Sequence, residues 1–139
     1  PIGQSFEGEA AMRLEALAEG HDGGAGYEME THNTVLDPAP MVHAIAADLG
    51  RGTAPGLIAA RFQAGLARAF ATQAAAIAAH AGTRTIALSG GCFQNEALLT
   101  ATLTHLSGYD LCLPSEVPAN DGGLAFGQAL IALAQMESA

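Results

Sequence analysis

The sequence contains no lysine and no tryptophan, and its charge is strongly one-sided. Of its 139 residues 5 are basic, all of them arginine, against 14 acidic ones, which gives a formal net charge of −9. Scattered arginines form no basic stripe, so the composition argues against electrostatic binding of nucleic acid. A Walker-type phosphate loop and a Schiff-base enzyme are excluded, because both need a lysine.

Cysteine is also scarce. Cys92 and Cys112 are too few for a disulfide framework or a four-cysteine zinc site. Because both stand in apolar stretches, we expect buried free thiols in a reducing compartment. No stretch approaches the ~20 apolar residues of a membrane span, and no signal-peptide pattern is seen. We therefore expect a cytoplasmic protein that makes no membrane contact.

Aromatic residues make up only 5% of a chain that is 50% hydrophobic. Much of the apolar half is alanine, which favours helices but buries little area per residue. We therefore expect closely packed helices with short side chains. Apolar residues recur at helical spacing in segments 6–19, 41–49, 53–81, 95–106 and 124–136.

Local signals predict the ends and the buried faces of these helices. Ser5 and Thr53 are the expected N-caps of the first and third helices, and Gly82 should end the third. The last helix is apolar nearly all round, so we expect it to be buried. The buried face of the third helix is predicted to be its stripe of large apolar residues, namely Ile58, Phe62, Leu66, Phe70 and Ile77.

Short strands are predicted between the helices. Residues 27–31 alternate with a period of two and indicate an edge strand, whereas 84–88 and 109–113 read as buried strands on either side of the fourth helix. A β-α-β-α unit gives a parallel strand pair with a right-handed crossover. The expected fold class is α/β, rich in helix, with a small and partly parallel sheet. Two or three strands are few for a free-standing α/β sheet, and we therefore expect this chain to be a piece of a longer one.

Two glycine turns carry the chemical information. Ser89-Gly90-Gly91-Cys92-Phe93-Gln94-Asn95 follows a predicted strand, and Asn120-Asp121-Gly122-Gly123 precedes a predicted helix. In open α/β sheets ligands bind in the crevice at the carboxyl ends of the strands. Paired glycines let the backbone approach an anion, and helix N-termini offer free N–H groups. With no lysine in the chain, backbone amides or a metal ion must supply the positive charge.

Simpler interpretations of the same residues stay open. A Gly-Gly pair after a strand is commonly just a tight turn, and Asn95 and Asp121 are each typical helix N-caps. The histidines show no metal-ligand spacing. From these residues alone the sequence indicates an α/β piece with a possible nucleotide-binding edge.

The two turns also carry a family resemblance. Segments 89–95 and 118–128, together with 5–15 and 58–62, resemble the C-terminal part of the hydrogenase-maturation carbamoyltransferases of the HypF type, in the right order along the chain. The resemblance implies one lobe of an actin-like ATPase (ASKHA) fold, similar to the universal tRNA-threonylcarbamoyl synthase subunit. Residues 1–139 would then be a single C-terminal lobe, and the missing upstream lobe of the same polypeptide would be its partner.

The resemblance also implies an activity. Family members form carbamoyl-adenylate from ATP and carbamoyl phosphate, and pass the carbamoyl group to a cysteine of a HypE-type acceptor protein. By similarity Ser89, Gly90, Gly91 and Asn95 would contact the nucleotide. Gly122 and Gly123 would lie beside the phosphates, and Asp121 would be a ligand of a divalent metal. A carboxylate-held metal can offset phosphate charge where lysine is absent.

Two departures from the family limit this hypothesis. The paired metal-binding histidines of the family belong to the other lobe, and Gln63 stands where the family commonly has histidine. We therefore expect a folded but catalytically inactive piece, prone to dimerise through its uncovered face. Two alternatives remain: a fragment of an O-carbamoyltransferase or a tRNA-modifying ASKHA enzyme, and a non-catalytic acidic helical interaction module.

Overall fold

The computed structural model describes residues 3–32 and 34–137. Within these ranges helices dominate, and the strands form two separate two-stranded sheets. The helices are α1 (Glu9–Ala18), α2 (Ala39–Gly50), α3 (Pro55–Ala81), α4 (Glu96–His105) and α5 (Leu124–Glu137). The strands are β1 (Glu30–His32), β2 (Val35–Asp37), β3 (Thr85–Ala87) and β4 (Asp110–Cys112), and 3-10 turns cover Gly91–Gln94 and Asp121–Gly123.

The first helix begins later than its sequence suggests. Its N-cap is Gly8, with φ of 84°, so the predictions of a start at residue 6 and of a Ser5 cap are wrong. The Glu9 carboxylate instead accepts the Ser5 N–H at 2.5 Å and pairs with Arg13. These contacts close a loop before the helix and leave Phe6 exposed.

The predicted edge strand is displaced towards the C-terminus and belongs to a hairpin. Strands β1 and β2 pair antiparallel, with Glu30 opposite Asp37. Tyr27, which was predicted to lie in the strand, precedes it. Its N–H donates to the carbonyl oxygen of Arg61 at 3.1 Å, and the residue is buried. The second strand of the hairpin was not predicted.

Helix α3 forms the centre of the fold, and its buried residues are mostly small, with Ile58 and Gln63 as the larger exceptions. α1 and α4 both pack against it. Phe70 and Ile77 are 49% and 53% exposed, so the predicted stripe of large residues is wrong at these two positions. Close backbone approach favours small residues on the buried side of the helix: a Cβ on Gly65 would lie 2.2 Å from the Tyr27 carbonyl oxygen. Neighbouring buried positions of α3 are alanines: Ala59, Ala60, Ala67, Ala71 and Ala78.

The end of α3 and the order and pairing of the strands that follow match the prediction. The prediction that both strands are buried is wrong at Thr85, Ala87, Asp110 and Cys112, which are exposed because a two-stranded sheet leaves one face uncovered. Gly82 ends α3 in the left-handed conformation, with φ of 67°. The Thr53 cap is wrong, because Ala54 precedes the helix and the Thr53 hydroxyl donates to Asp48. Strands β3 and β4 are parallel, with Ile86 opposite Leu111, which confirms the β-α-β unit.

The last helix departs most clearly from expectation. The prediction of a buried α5 is wrong, because its large apolar side chains are between 50% and 77% exposed. Within the described residues α5 packs mainly against the preceding 3-10 turn. No helix among these residues is long and apolar enough to cross a membrane. The apolar side chains left uncovered on α5 are Leu124, Phe126, Leu130, Ile131, Leu133 and Met136.

Candidate functional site

The fold brings the two glycine turns into contact. The Gly90 N–H donates to the carbonyl oxygen of Ala119 at 2.8 Å, and a Cβ on Gly91 would lie 3.6 Å from the Cβ of Asn120. A cleft of about 390 Å³ lies between the turns and the start of α5, within the size range of small-molecule sites. The predicted site residues that line it are Ser89, Gly90, Asp121 and Gly123.

The first turn continues directly from β3. The Leu88 N–H donates to the Cys112 carbonyl oxygen at 3.0 Å, so the parallel pairing extends to the edge of the turn. Gly90 has φ of 109°, a conformation that favours glycine. Asn95 caps α4, because its Oδ1 accepts the Leu98 N–H at 2.8 Å. The capping interpretation of Asn95 is therefore confirmed, and the residue does not line the cleft.

The second turn is held together by Asn120. Its Oδ1 accepts the Gly122 N–H and its carbonyl oxygen accepts the Gly123 N–H, both at 3.0 Å. Asn120, and not Asp121, is the capping residue, so the capping interpretation of Asp121 is wrong. Asp121 is exposed, and within residues 3–32 and 34–137 its carboxylate has no hydrogen-bond or ion-pair partner.

The glycine amides are largely engaged within the protein. The N–H groups of Gly90, Gly122 and Gly123 all donate to protein oxygens. A Cβ on Gly123 would also lie 2.5 Å from the carbonyl oxygen of Pro118, so this glycine is required for packing of the loop. Among the predicted site residues that line the cleft, Asp121 therefore provides an exposed carboxylate that is unpaired within the described residues.

The two cysteines lie close to this region but not as expected. Cys92 is in the first 3-10 turn and Cys112 ends β4, and both are exposed free thiols. The prediction that they are buried is wrong, because one belongs to a surface turn and the other to the uncovered face of a two-stranded sheet.

A second concave feature lies between α1 and α4. This groove, of about 780 Å³, has Met12, Ala16 and Ala97 on its walls and the carboxylates of Glu15, Glu19 and Glu96 around them. Oε1 of Glu15 accepts the N–H of Glu96 at 2.8 Å, across 81 residues of sequence. Nothing in the local pattern around Glu15 signals this contact.

A buried carboxylate that was not singled out from the sequence connects α2, α3 and the segment before β1. Asp48 is 3% exposed, and its Oδ2 accepts the Tyr27 hydroxyl at 2.5 Å and Arg61 Nη1 at 2.8 Å. Its Oδ1 accepts Arg51 Nη2 at 2.5 Å and the Thr53 hydroxyl at 3.2 Å. The bonds from Tyr27 and Arg51 hold the pKa of Asp48 well below its usual range, and burial raises the pKa of Tyr27.

The described residues contain no complete metal site. No three His, Cys, Asp or Glu side chains among residues 3–32 and 34–137 are grouped closely enough to hold an ion. Any metal at Asp121 would need further ligands from outside these residues.

The chain was compared with protein-family models, curated proteins and solved structures. Residues 3–128 match the family model described as the second subdomain of the Kae1-like domain of carbamoyltransferase. The chain is 44% identical over 138 residues to the carbamoyltransferase HypF of Rhodobacter capsulatus, covering 99% of this chain and 18% of that protein. It is 36% identical over 132 residues to the HypF of Synechocystis sp., covering 91% of this chain and 16% of that protein.

Solved structures agree with these matches. A crystal structure of full-length HypF in the phosphate- and nucleotide-bound form superposes with a TM-score of 0.83 at 34% identity, covering 95% of this chain and 18% of that chain. The T. kodakarensis HypF structure gives a TM-score of 0.86 at 28% identity, covering 97% of this chain and 18% of that chain.

The helix-rich α/β fold and the two meeting turns thus define a Kae1-like, ASKHA-type subdomain. The chain belongs to the HypF family of carbamoyltransferases. It spans less than a fifth of the length of the two relatives described above.

Proposed function

We propose that this chain is the ATP-binding C-terminal lobe of a HypF-type carbamoyltransferase. The whole polypeptide would form carbamoyl-adenylate from ATP and carbamoyl phosphate, and would transfer the carbamoyl group to a cysteine of a HypE-type acceptor in [NiFe]-hydrogenase maturation. The observation that carries the proposal is that the two family motifs, more than twenty residues apart, meet at one cleft. The similarity to a nucleotide-bound HypF structure supports it.

The predicted site residues have distinct expected roles. Ser89, Gly90 and Gly91 would lie against the nucleotide, and Gly122 and Gly123 would let the phosphates approach the second turn. Because the amides of Gly90, Gly122 and Gly123 already donate within the protein, these glycines would contribute room more than positive charge. Asn95 would act through its cap on α4, which holds the first turn in position.

Asp121 suits a divalent cation such as Mg²⁺. Its exposed carboxylate has no partner within the described residues, and hard cations prefer oxygen ligands. A bound cation would neutralise phosphate charge at a site that has no lysine. A single carboxylate binds such an ion weakly, so the remaining ligands would come from another part of the polypeptide.

The uncovered helix α5 supports the existence of that second part. Its apolar side chains are exposed, and the two relatives described above are more than five times as long as this chain. We infer that α5 packs against the upstream lobe of the same polypeptide, and that the isolated chain dimerises through it. A helix that is apolar all round is normally buried. The isolated chain would accordingly be inactive in carbamoyl transfer.

The nucleotide proposal is tested by ATP binding to the full-length polypeptide in the presence of Mg²⁺. Asp121→Asn should weaken binding at least roughly tenfold, because the cation loses a charged ligand. Asp110→Asn is the matched control, since it makes the same change at the N-terminal end of β4, away from the cleft. Equal affinities for wild type and Asp121→Asn would show that the site is misassigned.

The packing proposal is tested by sedimentation of the isolated chain. Ile131→Glu should convert a dimer into a monomer, because a charge is placed in an apolar contact. Val42→Glu is the matched control, since Val42 is a similarly exposed apolar residue on α2. A dimer that survives Ile131→Glu, or an isolated chain that transfers carbamoyl groups, would contradict the corresponding part of the proposal.

A further inference from the structure

A hydrogen bond joins α1 to the start of α4, which directly follows the first glycine turn. Oε1 of Glu15 on α1 accepts the N–H of Glu96, the first residue of α4, at 2.8 Å. The residue before Glu96 is Asn95, which caps α4, and the 3-10 turn Gly91–Gln94 precedes it directly. Glu15 therefore acts on the junction between the turn and α4.

The C-terminal half of α1, which carries Glu15, is packed against α3. Ala18 at the C-terminal end of α1 packs with Ala59 and Ala60 of α3 in one buried cluster, and Leu14 adds to it. α1 and α4 are otherwise separated by the groove described above. The Glu15 bond thus spans a gap between two helices that are each fixed separately on α3.

The bond differs from an ordinary helix cap. Asn95 already supplies the local cap by accepting the Leu98 N–H. The Glu15 bond is exposed to solvent, where water readily replaces a lost partner, so it adds little to global stability. Because its acceptor is anchored on another helix, its main effect is to fix where α4 begins, and with it the position of the preceding turn.

We propose that Glu15 is a positioning residue for the candidate nucleotide cleft: it holds the start of α4 and the Gly91–Gln94 turn, and thereby the cleft residues Ser89 and Gly90 that directly precede this turn. The inference rests on the proposed function for the identity of the ligand. Neither Glu15 nor the turn itself lines the cleft, so Glu15 acts through the backbone that runs from Glu96 back to Gly90.

The experiment uses the full-length polypeptide and two readouts. ATP affinity in the presence of Mg²⁺ reports on the ligand site, and hydrogen–deuterium exchange of peptides covering 89–95 reports how firmly the turn is held, without the Glu96 amide that loses its own acceptor. Glu15→Ala should weaken ATP binding roughly threefold and speed exchange in 89–95, with Tm changed by less than about 3 °C. Glu15→Gln keeps an acceptor oxygen, so it should retain slow exchange and lose less affinity than Glu15→Ala.

Glu19→Ala is the matched control, because it removes the same charge from the same groove without touching the Glu96 N–H. It should leave both readouts unchanged. The inference is overturned if Glu15→Ala exchanges like wild type in 89–95, or if Glu19→Ala weakens binding equally, because the effect would then be one of charge alone. If wild type does not bind ATP but Glu15→Ala still speeds exchange in 89–95, the nucleotide proposal has failed and the positioning role stands.

Discussion

The contact between α3 and Tyr27 gives a sharp test of how the fold is packed. An alanine at position 65 would place its Cβ 2.2 Å from the Tyr27 carbonyl oxygen and 2.7 Å from its nitrogen. Ordinary van der Waals contact begins at 3.4 Å, so the Tyr27 backbone would have to retreat by more than 1 Å. That retreat would also weaken the bond from the Tyr27 N–H to Arg61.

The expected cost of Gly65→Ala follows from three opposing effects. Overpacking a well-filled contact costs about 2 kcal/mol, and a weakened hydrogen bond costs about 1 kcal/mol more. Alanine recovers about 1 kcal/mol through its better helix propensity. The net loss of about 2 kcal/mol should lower Tm by about 7 °C in thermal unfolding followed by circular dichroism.

Gly127→Ala is the control for this prediction, because it makes the same substitution in α5 where a Cβ would meet nothing within 4 Å. It should leave Tm unchanged or raise it, with a gain of up to about 1 kcal/mol in the free energy of unfolding. A Gly65→Ala variant as stable as the parent would refute the close approach of α3 to Tyr27. Equal losses in both variants would mean that helix packing is not the cause.

Three further substitutions test other contacts. The pKa of Asp48 is lower in the folded than in the unfolded state, so its contribution to stability is present above about pH 4 and is lost as the pH falls. The Tm of Asp48→Asn should therefore be lower than that of the parent protein at pH 7, and should fall less steeply between pH 5 and pH 3. Gln63 has a buried Nε2 without a hydrogen-bond partner among the described residues. Gln63→Met should therefore keep Tm or raise it, with a gain of up to about 2 kcal/mol in the free energy of unfolding, and a clear loss of stability would reveal a hidden partner. Asn95→Ala should cost about 1 kcal/mol in chemical unfolding through the lost cap, whereas an unchanged midpoint would show that the cap is dispensable.

Some helices and strands could be predicted from the sequence, and others could not. Helices α2 and α4, the glycine stop of α3 and the parallel pairing of β3 with β4 all follow from signals within a few residues. The start of α1 did not, because Glu9 reaches back to Ser5 and overrides the local capping preference. The hairpin strand β2 was missed because three residues are too few to show a period.

The candidate site was readable only in part. The motifs around Gly90 and Asp121 are distinctive, and the sequence pointed to both. The contact of Glu15 with Glu96 spans 81 residues, and the bonds of Asp48 to Tyr27 and Arg61 span 21 and 13 residues, so no local pattern could reveal them. The engagement of the glycine amides within the protein was equally invisible, because the acceptor of Gly90 lies on the other turn.

The sequence by itself determined the class of the protein. Its alanine-rich composition and its helical spacings indicated a helix-rich α/β piece, because these properties reside in residue types and short spacings. The resemblance of its motif segments pointed to a family, which the family model confirms. The tertiary structure decided which faces meet. It buried alanines of α3 in preference to Phe70 and Ile77, left α5 uncovered and joined the two turns at one cleft. Such choices depend on how closely backbones can approach across the chain, a property that no single segment contains.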